Sequence, residues 1–240
     1  MIPKLIHYCW FGRGEKNEKA KMCLASWQKM CPDYEIIEWN EDNFDVHMNA
    51  YTEMCYNERR FAHLSDYARL LILRDNGGLY FDVDVEIVQP FDSLLDVPAF
   101  FGFEGTEHVN TGCGCGAEAH NPAIEAMIRQ YDSLLDGQHG VIGCPILNTQ
   151  ALTAFGLTLD GTRQDLGCAV VYPNDWFNPY DDTTGWLDKT RNTYSIHWYA
   201  KSWWDKKYVL RNKLTKPLHR LQKRRQRRAA LKSAAQKNDD

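Results

Sequence analysis

Nowhere does this 240-residue chain approach the ~20 consecutive apolar residues of a membrane-spanning helix, so no helical span is expected. Its eight cysteines, at positions 9, 23, 31, 55, 113, 115, 144 and 168, form no Cys-x-x-Cys pair, which argues against a structural zinc site. No internal repeat is visible. A basic segment followed by a long apolar one is also missing at the start, where Met1-Ile2-Pro3-Lys4 leads straight into an apolar run. The even cysteine count would permit disulfides. On this reading, however, the thiols are expected to be reduced and mostly buried, and the chain to be cytoplasmic.

What is present is ample apolar material, 44% hydrophobic and 12% aromatic. That is too much for a disordered chain, and the length fits one large α/β domain better than two. Eight tryptophans exceed what such a core needs. Several are expected in a cleft, where flat rings meet bases or sugars. Charge is distributed unevenly. Residues 201–240 hold 14 Lys/Arg against 3 Asp/Glu, a balance of +11, and residues 1–200 hold 14 against 29, a balance of -15. An acidic globular body therefore carries a basic tail.

Residues 5–11 read as a buried first strand closed by Gly12, and 16–30 as a helix stopped by Cys31-Pro32. Residues 34–39 read as a second strand and 49–57 as a helix. Over 60–75 the period is helical, with Phe61, Leu64, Ala68, Leu71 and Ile72 on one face, and Asn76-Gly77-Gly78 ends it. Residues 79–81 form a strand that runs into Asp82-Val83-Asp84. A further strand covers 100–103, and Asn121-Pro122 opens a helix reaching residue 135. Late strands fall at 169–172 and 193–196, and Cys113 and Cys115 are expected on one face of a strand. From Asp205 onward, Leu210, Leu214, Leu218, Leu221 and Leu231 recur at roughly helical spacing among Lys and Arg, with a kink at Pro217. The expected organisation is an α/β domain over 1–204, with a mostly parallel sheet flanked by helices, and a basic helical tail over 205–240.

Asp82 and Asp84 lie one residue apart after an apolar strand. Residues i and i+2 of an extended chain point to the same side, and two carboxylates there repel unless a cation joins them. The C-terminal end of a strand is also where open α/β sheets bind ligands. A hard divalent ion suits such oxygens. A bare D-x-D equally suits a solvated turn, but the Gly-Gly turn, the strand and a preceding helix with a polar pair make the signal more specific. That pair, Asp66 and Arg69, shares a helix face three residues apart. It reads either as a surface salt bridge or as an Asp for hydroxyls beside an Arg for phosphate.

Several ordered motifs carry a resemblance: Ile6-His7-Tyr8-Cys9-Trp10-Phe11-Gly12, Cys31-Pro32-Asp33-Tyr34-Glu35, Trp39-Asn40, Ser65-Asp66-Tyr67-Ala68-Arg69, and Gly77-Gly78-Leu79-Tyr80-Phe81-Asp82-Val83-Asp84. Asn110-Thr111-Gly112, His197-Trp198 and Ser202-Trp203 continue it. Over about residues 2–204 the chain resembles glycosyltransferase family 32, which holds capsule- and lipopolysaccharide-type sugar transferases. The resemblance implies a GT-A fold, a nucleotide-sugar donor, a divalent Mn²⁺ or Mg²⁺ and retention of anomeric configuration. It implies that Asp84 and His197 bind the metal and that Asp82 meets the donor and reaches the metal through water. Asp66 and Arg69 would hold the donor sugar, Trp10 would stack on the base, and Ser202 and Trp203 would close over the diphosphate. Asn110 and Glu104 fall in the pocket-lining segment. Lys201, the second indole at Trp204, and Cys113 and Cys115 depart from the family pattern. Trp10 also suits a plain core position, and His7 reads as structural.

The resemblance makes a UDP-sugar the first expectation for the donor, and a saccharide or lipid-linked saccharide the expected acceptor, in surface polysaccharide synthesis. Asp82-Val83-Asp84-Val85 also resembles the start of haloacid-dehalogenase-type phosphatases, where the first Asp is a nucleophile. The tail, with Arg224-Arg225-Gln226-Arg227-Arg228, suits an anionic membrane surface better than nucleic acid, because it lacks interleaved aromatics. The chain is thus expected on the inner face of a membrane, with no nucleic-acid partner.

Overall fold

The computed structural model describes residues 1–200, 215–217 and 219–221. Its centre is an eight-stranded sheet. The strand β1 (Leu5–Cys9) lies between β2 (Glu35–Trp39) and β3 (Gly78–Tyr80), parallel to both. After β3 the chain forms β4 (Val85–Ile87), which stands apart from this sheet. It then returns as β5 (Ala99–Glu104), β6 (His108–Asn110) and β7 (Cys115–Ala117). The edge is made by β8 (Gln164–Asp165) and β9 (Val170–Tyr172), giving the order β2-β1-β3-β7-β5-β9-β8 with β6 on β5. Five of the eight strands (β2, β1, β3, β5 and β9) run one way, so the sheet is mixed and mostly parallel, as expected. Two small sheets remain: the hairpin β10 (Tyr180–Asp181) with β11 (Trp186–Leu187), and β12 (Ser195–His197) antiparallel to β4.

Helices cover both faces. α1 (Glu18–Met30) is capped by Asn17, whose side chain accepts from the Ala20 amide at 2.9 Å. It buries Trp27 beside Phe81, Phe91, Phe100 and Phe177. The opposite face receives α2 (Ala50–Asn57), α3 (Phe61–Asn76), α4 (Pro122–Arg129) and α5 (Cys144–Thr153). The short α6 (Asn174–Phe177) precedes the hairpin. Strand alternation divides the core: Phe100 joins one cluster and Phe101 and Phe103 the other.

The turn from α3 into β3 fixes the site's foundation. Gly77 caps α3 at φ +64, and Gly78 follows at φ +98. A Cβ on Gly78 would lie 2.9 Å from the Leu5 carbonyl and 3.0 Å from His7 Nε2. His7 is fully buried and fixed twice. Its Nε2 donates to the Gly77 carbonyl at 2.9 Å, and its Nδ1 accepts from Trp39 Nε1 at 3.1 Å. Burial pushes the imidazole below its ordinary value, and the Gly77 bond partly opposes this. His7 is structural, as the sequence suggests.

Two expectations need correction. The helix from Asn121 stops at Arg129 and gives way to a 3-10 turn at Asp132–Leu134. The Gln130 amide bonds to Met127, three residues back, and the chain tightens as Tyr131 packs against Tyr51 and Tyr67. Cys113 and Cys115 do not share a strand face. β7 starts only at Cys115, Gly114 turns the chain at φ +131, and the two thiols join opposite core clusters. The helix α5 carries no amphipathic stripe, because Cys144, Leu147, Asn148, Thr149, Ala151 and Leu152 are all buried. All eight cysteines are free and seven are buried. No helix among the described residues is long and apolar enough to cross a membrane. Most of the tail, 205–240, lies outside the described residues. Of it, Lys216 meets the Tyr180 hydroxyl at 3.1 Å and Arg220 Nε the Thr184 carbonyl at 2.5 Å, which seats this piece on the hairpin.

The Gly78→Ala variant should lose about 2 kcal/mol or more in urea unfolding, since it combines a left-handed backbone with a clash against backbone oxygen. Gly14→Ala, where no atom lies within 4 Å, should stay within about 0.5 kcal/mol of the parent. His7 gives a second check. Its folded value lies below its unfolded one, so its contribution is complete above the unfolded value and is lost as pH falls through about 6.5. Relative to His7→Gln, the parent's melting temperature should therefore fall between pH 7.5 and 5.5.

Candidate active site

Asp82 follows β3 by two residues. Its amide donates to the Gly112 carbonyl at 3.0 Å, and the Phe81 amide donates to the His7 carbonyl at 3.2 Å. These bonds tie the loop to β1 and to the segment entering β7. The chain then turns, with the Val85 amide on the Asp82 carbonyl at 3.0 Å, and enters β4. Gly112 is required here, because a Cβ would stand 2.2 Å from Asp82 Oδ2.

α3 brings Asp66 and Arg69 beneath this loop. The Arg69 side chain is 2% exposed, and its Nη2 lies 2.9 Å from both Asp66 Oδ1 and Asp82 Oδ1. Nη1 donates to Thr111 Oγ1 at 3.3 Å and lies 3.6 Å from Cys144 Sγ. The guanidinium sits 4.7 Å over the Tyr80 ring, and the Tyr80 hydroxyl donates to Asp82 Oδ1 at 3.2 Å. The pair is therefore not a surface bridge. It is the lower half of a three-member cluster that fixes Asp82. Burial pushes the Asp66 carboxyl up, but Arg69 holds it below the usual carboxylate range. Burial wins at Asp82, whose carboxyl is raised despite Arg69 and His197.

The imidazole of His197 arrives by strand pairing. β12 runs antiparallel to β4 with His197 opposite Val85, so the ring returns beside the D-x-D loop. Nε2 lies 3.2 Å from Asp84 Oδ1, and the Ala200 amide donates to Asp84 Oδ2 at 2.6 Å. Burial opposes charge on both groups. Nevertheless each stabilises the other, so Asp84 lies below the carboxylate value and His197 above the imidazole value. Ligand atoms of Asp82, Asp84 and His197 all lie within 4.8 Å of one another, and no other such cluster occurs among the described residues. Two hard carboxylate oxygens and a borderline imidazole nitrogen fit a divalent cation.

Other residues singled out from sequence are placed less tightly. Trp10 lies half-buried just past the C-terminal end of β1, its Nε1 donating to the Gly14 carbonyl at 2.6 Å and Lys16 over its ring at 5.5 Å. Asn110 is buried, accepts from the Gly112 amide at 2.7 Å, and donates to Glu104 at 3.1 Å. Ser202 and Trp203 lie outside the described residues, as does Trp204. Sequence reasoning did not single out Cys144 and Asn148 on α5, Tyr80, or Tyr199. Of these, Tyr80 alone carried a signal, since it alternates with Asp82 along an extended segment.

Residues 17–101 match the family model described as a glycosyltransferase sugar-binding region containing a DXD motif. Inositol phosphoceramide mannosyltransferase 3 of Schizosaccharomyces pombe is 32% identical over 111 residues, 41% of this chain and 29% of that protein. Inositol phosphoceramide mannosyltransferase 1 of the same yeast is 29% identical over 112 residues, 41% of this chain and 33% of that one. The chain spans a third or less of the length of these curated relatives. Among solved structures, the PaToxG glycosyltransferase superposes with a TM-score of 0.53 at 23% identity, covering 64% of this chain and 69% of that one. The fold is of the GT-A type.

Replacing Arg69 by Met should destabilise the chain by about 3–5 kcal/mol at pH 7 in EDTA, because Asp66 and Asp82 are left buried without a cation. Urea unfolding at pH 7 and pH 4.5 checks the cause. The orphaned carboxylates bind protons more tightly folded than unfolded, so the deficit should shrink at the lower pH.

Proposed function

We propose that this protein is a retaining glycosyltransferase that moves a hexose or N-acetylhexosamine from a nucleotide sugar, UDP-linked by first expectation, to a saccharide or lipid-linked acceptor. The observation that carries this reading is the Asp82, Asp84 and His197 cluster past the end of β3, held from below by Arg69. The match over residues 17–101 and the GT-A fold support it. The ring and carboxylates would hold Mn²⁺ or Mg²⁺, which when bound offsets charge on a diphosphate leaving group.

The chain's own residues would do the rest. Asp66 and Arg69 are buried and mutually fixed, so they present a preorganised edge to the donor sugar's hydroxyls at little further cost in order. Asp82, with Oδ1 already engaged by Arg69 and Tyr80, would turn its second oxygen to the donor. Trp10, at the mouth beside β1, would stack on the base. Ser202 and Trp203 would close over the diphosphate and keep water out. The acceptor hydroxyl would attack from the face the nucleotide leaves. No general base is assigned, because a departing phosphate oxygen can take the proton. The basic tail 205–240, as an appendage to the 1–204 body, would hold the protein at an anionic inner membrane surface where lipid-linked acceptors lie. A role in surface polysaccharide synthesis and membership of glycosyltransferase family 32 belong to the same proposal. The phosphatase reading is not carried forward, since the fold is of the GT-A type.

Incubation with Mn²⁺ and a panel of UDP- and GDP-sugars, without acceptor, should release nucleotide from one donor. GDP-mannose belongs in the panel because the yeast relatives are named mannosyltransferases. EDTA and Asp84→Ala should each reduce release at least 100-fold, to background. Silence across the panel, with no donor-induced rise in melting temperature, would sink the assignment.

A further inference from the structure

His197 lacks the support that a metal-binding imidazole usually has. Such a ring donates its second N–H to a carboxylate or carbonyl, which fixes its orientation. Here Nδ1 of His197 is buried and has no hydrogen-bond partner. Something else must set the plane of the ring.

The ring of Tyr199 lies against it, with centroids 4.1 Å apart and planes 28° from parallel. Tyr199 is itself held firmly. Its hydroxyl donates to Glu104 Oε1 at 2.6 Å and accepts from Asn178 Nδ2 at 2.6 Å. Burial and the Glu104 carboxylate push that hydroxyl far above its ordinary value, so it stays protonated as the donor. Glu104 is tied in turn to Asn110 Nδ2 at 3.1 Å. The anchor therefore reaches β5 and β6.

The backbone at Tyr199 is also unusual. It stands at φ +48, in the left-handed region that bulky side chains avoid. The consequence is local and specific. The amides on either side both bond to Asp84: Trp198 N to its carbonyl at 3.0 Å, and Ala200 N to Oδ2 at 2.6 Å. The left-handed turn lets two flanking amides face Asp84 while the ring between them covers His197. One residue thus orders both a carboxylate and an imidazole of the candidate cation site.

We propose that Tyr199, anchored by Glu104 and Asn178, is the positioning residue that holds His197 and Asp84 in the arrangement a divalent cation requires. This rests on the reading of Asp82, Asp84 and His197 as a cation site. Tyr199 touches neither donor nor acceptor in this account and acts only through its neighbours.

Mn²⁺ binding by the full chain, followed by electron paramagnetic resonance without nucleotide, tests it. Tyr199→Asn accepts the left-handed backbone and removes the ring, while Tyr199→Phe keeps the ring and loses the hydroxyl anchor. The parent should bind one Mn²⁺ and show nitrogen coupling in the pulsed spectrum that His197→Ala abolishes. Tyr199→Asn should bind about 10- to 100-fold more weakly with reduced nitrogen coupling, and Tyr199→Phe should fall between. Parent-like affinity and coupling in Tyr199→Asn would overturn the proposal. If that variant proves unfolded by its melting curve, Tyr199→Phe decides: parent-like binding and coupling overturn it, and a several-fold loss with weaker coupling supports it. A parent that binds no Mn²⁺ would remove the cation reading and this proposal with it, an outcome distinct from a parent that binds and variants that do not differ.

Discussion

Arg69 holds its charge where water does not reach, and the carboxylates of Asp66 and Asp82 make that tolerable. This requirement propagates outward. Asp66 and Arg69 come from α3 and Asp82 from the loop just past β3, so helix and strand must meet at a fixed angle within two residues. The Gly77-Gly78 turn provides that angle, and buried His7 locks it against β1. Thr111 and Cys144 complete the guanidinium's surroundings from the β6–β7 segment and from α5. Four parts of the chain therefore depend on one side chain. In turn, that side chain leaves Asp82 with one oxygen engaged and one to spare.

The second constraint is the pairing of β4 with β12. Asp84 makes its ion pair with His197 rather than with Arg69. The short antiparallel pair supplies this partner by placing His197 opposite Val85. The ion pair that results is held in mutual balance: burial opposes charge on each group, and each favours the charged form of the other. A divalent cation held here would take an unprotonated imidazole as its ligand, so metal and proton would compete for His197.

Much of this was legible where local pattern and global role coincide. The period of Phe61, Leu64, Ala68 and Leu71 gave α3, and the Gly-Gly punctuation gave its end within one residue. The D-x-D could be placed at the exit of a strand because Leu79, Tyr80 and Phe81 are continuous and apolar. Less visible were elements defined by their partners. β4 is three residues long and is a strand only because it pairs with β12, which the sequence did show. α5 is buried on most sides, so it lacks the polar stripe by which a surface helix is read. Cys113 and Cys115 alternate as strand residues do, yet Gly114 in an unusual conformation sends them to opposite faces. Tyr199 is hidden for a similar reason, since a left-handed tyrosine has no signature in sequence.

The order of the chain gives the β4–β12 pair a meaning in time. A ribosome releases residues from the amino end, so Asp82 and Asp84 emerge more than a hundred residues before His197 and the amides of Trp198 and Ala200 that steady them. During that interval the sheet's β1–β3 core can form with Arg69 against Asp82, but Asp84 still lacks its counter-charge. Any chemistry that depends on the assembled cluster is withheld from nascent and prematurely terminated chains alike. Synthesis itself thus delays assembly of the cluster until β12 and the two residues that follow His197-Trp198 have emerged.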